Sequence, residues 1–325
     1  MDIDILLVLQ DFRNGIGSCL TSFMTKMSFL GEMNTVLAII ALIYWCANKN
    51  YGKYFLMGWS GNRIVNGLLK VTACAYRPWF RDARIIPNSE AMATATGYSF
   101  PSGHSMNAAS LFGGGAIRKE LSKGLRIVLS IILVLIAFSR IFLGVHTPQD
   151  VLVGAGVGIL VMWLTVMLIV YDEKHPGKDL LVMGIGIAIA VAVAVFAAVK
   201  PYPADYNEAG ELLVDGAKMA NDTYKGVGWC IGFFVGWVLE KRYINFSTDI
   251  SMMTRITRLV IGLLSYYAVS LVLVPVIKNW IPGVAGTIIS CFVQMFFVVF
   301  IFPLCIKHFE RVEAILGERK QKIGT

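Results

Sequence analysis

The sequence predicts an all-α protein, a polytopic membrane bundle of about nine transmembrane helices, and three observations carry that prediction. First, 56% of its 325 residues are hydrophobic and only 15% are charged, against about 45–50% apolar and about 25% charged in an average soluble domain. Second, apolar runs near the ~20 residues needed to cross a bilayer recur along the chain, bounded by charge or by Gly and Pro. Third, the Lys and Arg residues between those runs fall unevenly on alternating sides. This composition excludes a soluble globular enzyme. It also excludes a disordered chain, a collagen-like repeat, since the 31 glycines have no fixed period, and a disulfide scaffold, since six cysteines are too sparse. The net charge of +8 reads as positive-inside loops and not as a nucleic-acid footprint.

Taken in order, residues 1–29 mix Leu and Phe with Asp4, Asp11, Arg13 and Lys26 and predict a helix lying in the interface. The start, MDIDILLVLQDF, lacks the basic flank and small-residue cleavage site of a secretory signal, and is expected to be retained. Expected spans follow at 30–47, 54–75, 103–117, 127–143, 149–170, 180–199, 226–239, 259–277 and 284–306, with the short 30–47 and 226–239 open to a re-entrant or tilted reading. Nine crossings place 17 of the 29 Lys and Arg on one side, including Lys49, Arg118, Lys174, Lys241 and the basic tail with Arg319, Lys320 and Lys322. That side is expected to be cytoplasmic, with the C-terminus inside. Segment 201–225 holds Asp205, Glu208, Glu211, Asp215 and Asp222 and is expected to be an acidic extracytoplasmic loop, with residues 226–325 forming additional helices and a basic tail. Glu240-Lys241-Arg242 reads most simply as an interfacial anchor. The cysteines sit mostly in apolar runs, without close Cys or His neighbours, as small buried hydrophobes.

Ionisable residues inside a span are costly and mark cavities. The second span carries Asn62, Arg63, Asn66, Lys70 and Arg77, and the seven-residue spacing of Arg63, Lys70 and Arg77 puts them on one face if the helix continues. Pro101-Ser102-Gly103-His104-Ser105 precedes an apolar helix. Ser102 is a natural N-cap, and Gly103 leaves the positive helix start open to an anion such as phosphate. Ser139-Arg140 leads through His146 to Thr147-Pro148-Gln149-Asp150, where Thr147 caps the next helix and Asp150 falls at its third position. Asp150 is there either a plain capping residue or, four residues from His146, the carboxylate that orients a nucleophilic imidazole; spacing leaves both open. Lys70, Arg77 and Arg140 with helix-start amides and two histidines suit a phosphate dianion, and fixed donors of this kind stabilise phosphoryl transfer without a metal.

These three segments, Lys70 through Arg77-Pro78 (K-x6-R-P), Pro101-Ser102-Gly103-His104 and Ser139-Arg140 through His146 to Asp150 (S-R-x5-H-x3-D), resemble the signature of the type 2 phosphatidic acid phosphatase superfamily. These are membrane histidine phosphatases that include lipid phosphatases and glucose-6-phosphatase. The motifs span residues 70–150, about a quarter of the chain. The resemblance implies His146 as nucleophile, Asp150 holding its other nitrogen and His104 as acid and then base. Lys70, Arg77, Ser102, Gly103 and Arg140 would bind phosphate oxygens, and no metal or other cofactor is implied. It implies a six-helix phosphatase core, placed at residues 30–200, with further helices after it. That layout looks like the glucose-6-phosphatase branch.

The expected function is therefore an integral membrane phosphatase acting on a phosphomonoester or diphosphate, of a lipid in the first place, at the extracytoplasmic face through a phosphohistidine. A lipid phosphate or prenyl diphosphate is the expected substrate, among membrane lipids and without nucleic acid. The alternatives are a sugar-phosphate phosphatase, a lipid phosphotransferase, and a non-catalytic lipid transporter for which Arg63 would offer a path.

Overall fold

The computed structural model describes residues 2–311; the basic tail with Arg319, Lys320 and Lys322 lies outside the described residues. The chain is all-helical. Helices α1 (Asp2–Gly15) and α2 (Ser18–Phe29) precede α3 (Met33–Ala47) and α4 (Lys49–Ala73). Two short helices, α5 (Pro78–Arg81) and α6 (Ser89–Ala93), lead to α7 (103–116). Then come α8 (Lys123–Phe142), α9 (Pro148–Lys174), α10 (Asp179–Val199), α11 (Gly216–Leu239), α12 (Met252–Trp280) and α13 (Gly283–Arg311).

Helices stand at all nine expected positions. Among the described residues, α8, α9, α10, α12 and α13 are long and apolar enough to cross a membrane, and a sixth span results if α2 and α3, bent by 57°, are one broken helix. Their outward faces carry large apolar side chains such as Leu152, Leu181 and Leu271 in the open, as contact with lipid requires. The other three, α4, α7 and α11, bury polar residues, Asn62, Asn66, Asn107 and Thr223 among them. These polar residues are the material of the site.

Two expected boundaries move. The single interfacial helix expected over residues 1–29 is broken at Gly17, whose φ of +82° favours glycine. Its second half, α2, packs along α8, while Arg13 at the end of α1 donates to the carbonyls of Phe142 (3.2 Å) and Ile86 (2.5 Å). The expected loop 201–225 ends at Asp215, whose carboxylate accepts the N–H groups of Ala217 (2.8 Å) and Lys218 (3.2 Å). That cap starts α11 ten residues ahead of the expected 226. The cysteines also divide: Cys46, Cys230 and Cys291 are buried, but Cys19 and Cys305 are exposed.

Helix α11 is held by a stripe of small residues. Gly228, Gly232 and Gly236 recur every fourth residue, and a Cβ at Gly232 would stand 2.6 Å from the Phe292 carbonyl of α13. Backbones approach this closely in membranes through small residues. At one end of the bundle, ion pairs join the loops expected on the lysine-rich side: Lys49–Glu240 (2.7 Å), Lys241–Asp172 (2.8 Å) and Arg242–Asp179 (2.7 Å). Glu240-Lys241-Arg242 is thus a clasp between α11 and the core helices. Helix α4, about 37 Å long at ~1.5 Å per residue, starts at that end and delivers Lys70 to the other, where all three motifs meet.

Candidate active site

The helix carrying Lys70 stops at Ala73, because Cys74 adopts a left-handed conformation (φ 47°). Arg77 therefore does not continue the face of Arg63 and Lys70, as the seven-residue spacing suggested. It arrives from an extended segment ahead of Pro78, which cannot follow a helical residue easily. Both cations are held by the segment 96–99. Lys70 Nζ donates to the carbonyls of Tyr98 (2.7 Å) and Ser99 (3.3 Å). The Arg77 guanidinium donates to those of Gly97 (3.0 Å), Thr96 (3.3 Å) and Val145 (2.9 Å). The polar stretch between Pro78 and Pro101 thus supplies backbone acceptors that aim the cations. Burial pulls the Arg77 guanidinium down to about 10, with the Asp150 charge opposing, so it stays a cation at neutral pH.

His146 sits in the turn between α8 and α9, which Gly144 makes possible with φ +75°. The N–H groups of Val145 (3.1 Å) and His146 (3.3 Å) both reach the Arg140 carbonyl. Arg77 Nη1 lies 2.8 Å from His146 Nε2. A guanidinium can only donate, so Nε2 bears the lone pair and Nδ1 the proton. That N–H faces Asp150 Oδ2 at 3.3 Å. The same oxygen accepts from Ser99 Oγ (2.6 Å) and from the Thr147 N–H (2.8 Å), while Thr147 Oγ1 accepts from the Asp150 N–H (3.3 Å). The cap and the orienting carboxylate are one group. Burial, followed by the Arg77 charge, pushes the His146 imidazole well below its ordinary 6.5 against the pull of Asp150, which favours the neutral form.

Ser102 caps α7 as the sequence predicts, its Oγ accepting from the Ser105 N–H (3.3 Å), and its own N–H bonds the Asp150 carbonyl (2.9 Å). That bond ties the start of α7, which carries His104, to the start of α9, just after His146. His104 Nε2 is buried without a hydrogen-bond partner. Arg140 is wholly buried, bonded through Nη1 to Ser28 Oγ, with Nε and Nη2 unpartnered.

A cavity of about 280 Å³ joins these groups, lined by Lys70, Arg77, Gly103, His104 and His146 of the expected site residues. Asp150, Ser102 and Arg140 are not among the lining residues; they stand behind it. Asn66, Asn107 and Arg63 also line it, together with Glu32 of the α2–α3 turn and Met219, Asp222 and Thr223 of α11. Of the added groups, the sequence had marked Asn66 and Arg63 as misplaced polar residues. Ser99 and the α11 residues carried no such mark, because a serine in a polar segment and a helix assigned to a loop look ordinary. Among the described residues no three His, Cys, Asp or Glu side chains gather as metal ligands.

Residues 51–174 match the family model described as the PAP2 superfamily, and residues 224–313 match the PAP2 superfamily phosphatase, transmembrane extension. Phosphatidylglycerophosphatase B of Bacillus subtilis (strain 168) is 31% identical over 167 residues, covering 48% of this chain and 76% of that protein. Lipid phosphate phosphatase delta of Arabidopsis thaliana is 25% identical over 178 residues, covering 50% of this chain and 42% of that protein. Among solved structures, the crystal structure of a transmembrane PAP2 type phosphatidylglycerolphosphate phosphatase from Bacillus subtilis is similar, with 29% identity, a TM-score of 0.43, and coverage of 54% of this chain and 86% of that one.

Proposed function

The chain belongs to the PAP2 superfamily, and from that premise we propose that it is a metal-independent histidine phosphatase that hydrolyses a lipid phosphomonoester or diphosphate at the extracytoplasmic face. The observation that carries this reading is His146. Its Nδ1 is held by Asp150, its Nε2 meets Arg77 Nη1, and the residue lines a cavity together with Lys70 and Arg77.

In the proposed reaction the phosphate displaces the Arg77 contact from Nε2, and Lys70, Arg77 and the free helix-start N–H groups of Gly103 and His104 take its oxygens. His146 Nε2 attacks phosphorus as the bond to the lipid oxygen breaks, giving phosphohistidine, and His104, which takes up a proton as the bound phosphate offsets the surrounding positive charge, gives that proton to the departing oxygen. Asp150 stabilises the positive charge that develops on the imidazole. His104, now neutral, takes a proton from water, whose oxygen attacks phosphorus and releases phosphate while the N–P bond breaks.

A lipid substrate is supported by the names of both relatives, each a phosphatase of a lipid phosphate. The glucose-6-phosphatase layout has no such support. The extracytoplasmic face is supported by the charge asymmetry, since the cavity lies at the end opposite the lysine-rich clasp. The test is phosphate release by detergent-purified protein in EDTA, with phosphatidate, phosphatidylglycerol phosphate, prenyl diphosphate and glucose 6-phosphate. Release that resists EDTA, disappears in His146→Ala and passes through an acid-labile, alkali-stable phosphoenzyme is expected. Turnover that persists in His146→Ala refutes the nucleophile.

A further inference from the structure

The proposed chemistry uses Lys70 and Arg77 but leaves a third cation of the same cavity without a task. Arg63 lines the cavity two turns of α4 below Lys70, about 10.5 Å along the helix at ~1.5 Å per residue. Its Nε is buried with no hydrogen-bond partner, and its guanidinium lies 5.6 Å over the ring of Trp229. The indole is itself fixed by donating to Gln294 Oε1 at 2.9 Å. A guanidinium withdrawn from water with donors unmet is costly. Stacking on tryptophan offsets part of that cost and leaves the edge of the fork free.

Among the described residues no side chain forms a hydrogen bond or ion pair with that guanidinium, although the Asp222 charge is felt there. Two carboxylates share the wall, and one of them, Asp222, is engaged by Lys225 at 2.6 Å. The other, Glu32, belongs to the α2–α3 turn. Asn66 and Thr223, neutral and polar, line the same cavity. Helix α11 reaches this depth through close contacts over small residues: a Cβ at Gly67 would stand 3.1 Å from the Thr223 side chain, and one at Gly226 would stand 3.2 Å from the Arg63 carbonyl. The ring that holds Arg63 belongs to the transmembrane extension matched at residues 224–313.

We propose that Arg63, held by Trp229, forms a second anion subsite that receives a second phosphate of the substrate, deeper in the cavity than the phosphate attacked by His146. The inference rests on the phosphatase reading above and names its substrate class: a lipid carrying two phosphates, joined either directly as a diphosphate or across a short polyol. The guanidinium fork matches a phosphate with two donors, where a lysine offers one point charge. A lipid monophosphate would leave the subsite empty.

The test compares kcat/KM for prenyl diphosphate and for phosphatidylglycerol phosphate, each against phosphatidate, in wild-type protein, Arg63→Gln and Arg63→Lys. The ratio over phosphatidate is expected to fall at least tenfold in Arg63→Gln and less in Arg63→Lys, and the arm that falls identifies how the two phosphates are joined. A ratio within about twofold of wild type in both arms overturns the subsite and leaves the phosphatase reading intact. Calorimetric binding of inorganic pyrophosphate against orthophosphate is the second measurement. It needs no variant and no turnover. Wild-type protein is expected to prefer pyrophosphate at least tenfold; equal affinities overturn the subsite. Absence of phosphate release from every substrate refutes the catalytic reading instead, and the pyrophosphate preference still decides the subsite.

Discussion

Replacing Asp150 by Asn and by Ala separates its two duties. In Asp150→Asn the amide oxygen takes the place of Oδ2 and still accepts from Ser99 Oγ and the Thr147 N–H, which stand at 2.6 and 2.8 Å. What is lost is the charge 3.3 Å from His146 Nδ1. Coulomb attraction to a full imidazolium at that distance is about 5 kcal/mol at an effective dielectric near 20. A hydrogen bond to a charged group outweighs a neutral one by about 1–1.5 kcal/mol. At about 1.4 kcal/mol per decade, these limits bracket a fall in kcat from about tenfold to several thousand-fold. The expected loss is near a hundredfold, in both phosphate release and phosphoenzyme formation under single-turnover conditions. The thermal midpoint of Asp150→Asn should move little, whereas Asp150→Ala also removes the acceptor of the Thr147 N–H in the capping box and should cost about 1 kcal/mol of stability. An Asp150→Asn enzyme within about threefold of wild type would refute the role of the charge and leave Asp150 a capping residue only.

Three further outcomes follow from the same geometry. The His146 imidazole is depressed, so in the folded protein it stays neutral as pH falls below 6.5, while the unfolded chain takes up the proton there. Stability contributed by the neutral form is therefore present above 6.5 and declines as pH falls below it, and NMR of ring-labelled histidine should show His146 titrating below that value. Titration at or above 6.5 contradicts the assignment. Ser99→Ala removes the 2.6 Å bond to Asp150, worth about 1 kcal/mol. Its kcat is expected to fall about fivefold, and an unchanged rate would make Ser99 a bystander. At Gly154 a Cβ would stand 2.8 Å from the Ser102 carbonyl and 3.3 Å from its N–H. Gly154→Ala must then push α9 off the start of α7 at about 1–3 kcal/mol, and activity should fall further than the thermal midpoint alone accounts for.

Much of this arrangement was legible in the sequence because membrane cost makes polar residues conspicuous. Lys70, His104 and His146 stood out against apolar runs, and helices appear at each of the nine expected places. The site's supporting parts were hidden for physical reasons. Carbonyl groups are the same in every residue, so the hold of 96–99 on Lys70 and Arg77 has no side-chain pattern. Helix α11 begins with Lys218, Asn221, Asp222 and Lys225, a composition that reads as a solvated loop until Asp215 is seen to cap it. Arg77 lines the same cavity as Lys70, but not through the helical continuation that the spacing suggested, which Cys74 interrupts.

Asp150 shows why spacing alone could not choose between a cap and a catalytic orienter. The two readings were treated as rivals, yet a capping carboxylate at the third helical position must turn back toward the residue before the helix. The residue just ahead of Thr147 is His146. Oδ2 is brought by the cap into reach of both the Thr147 N–H and His146 Nδ1, so the bond that starts α9 also fixes the imidazole, and the Asp150 carbonyl anchors Ser102 at the start of α7. One residue thereby sets the relative position of the two histidine-bearing segments. A histidine at any other place in this turn would lose the geometry. The four-residue separation of His146 and Asp150 is therefore dictated by the helix start itself, and the proposed chemistry would use an oxygen that helix formation already holds in place.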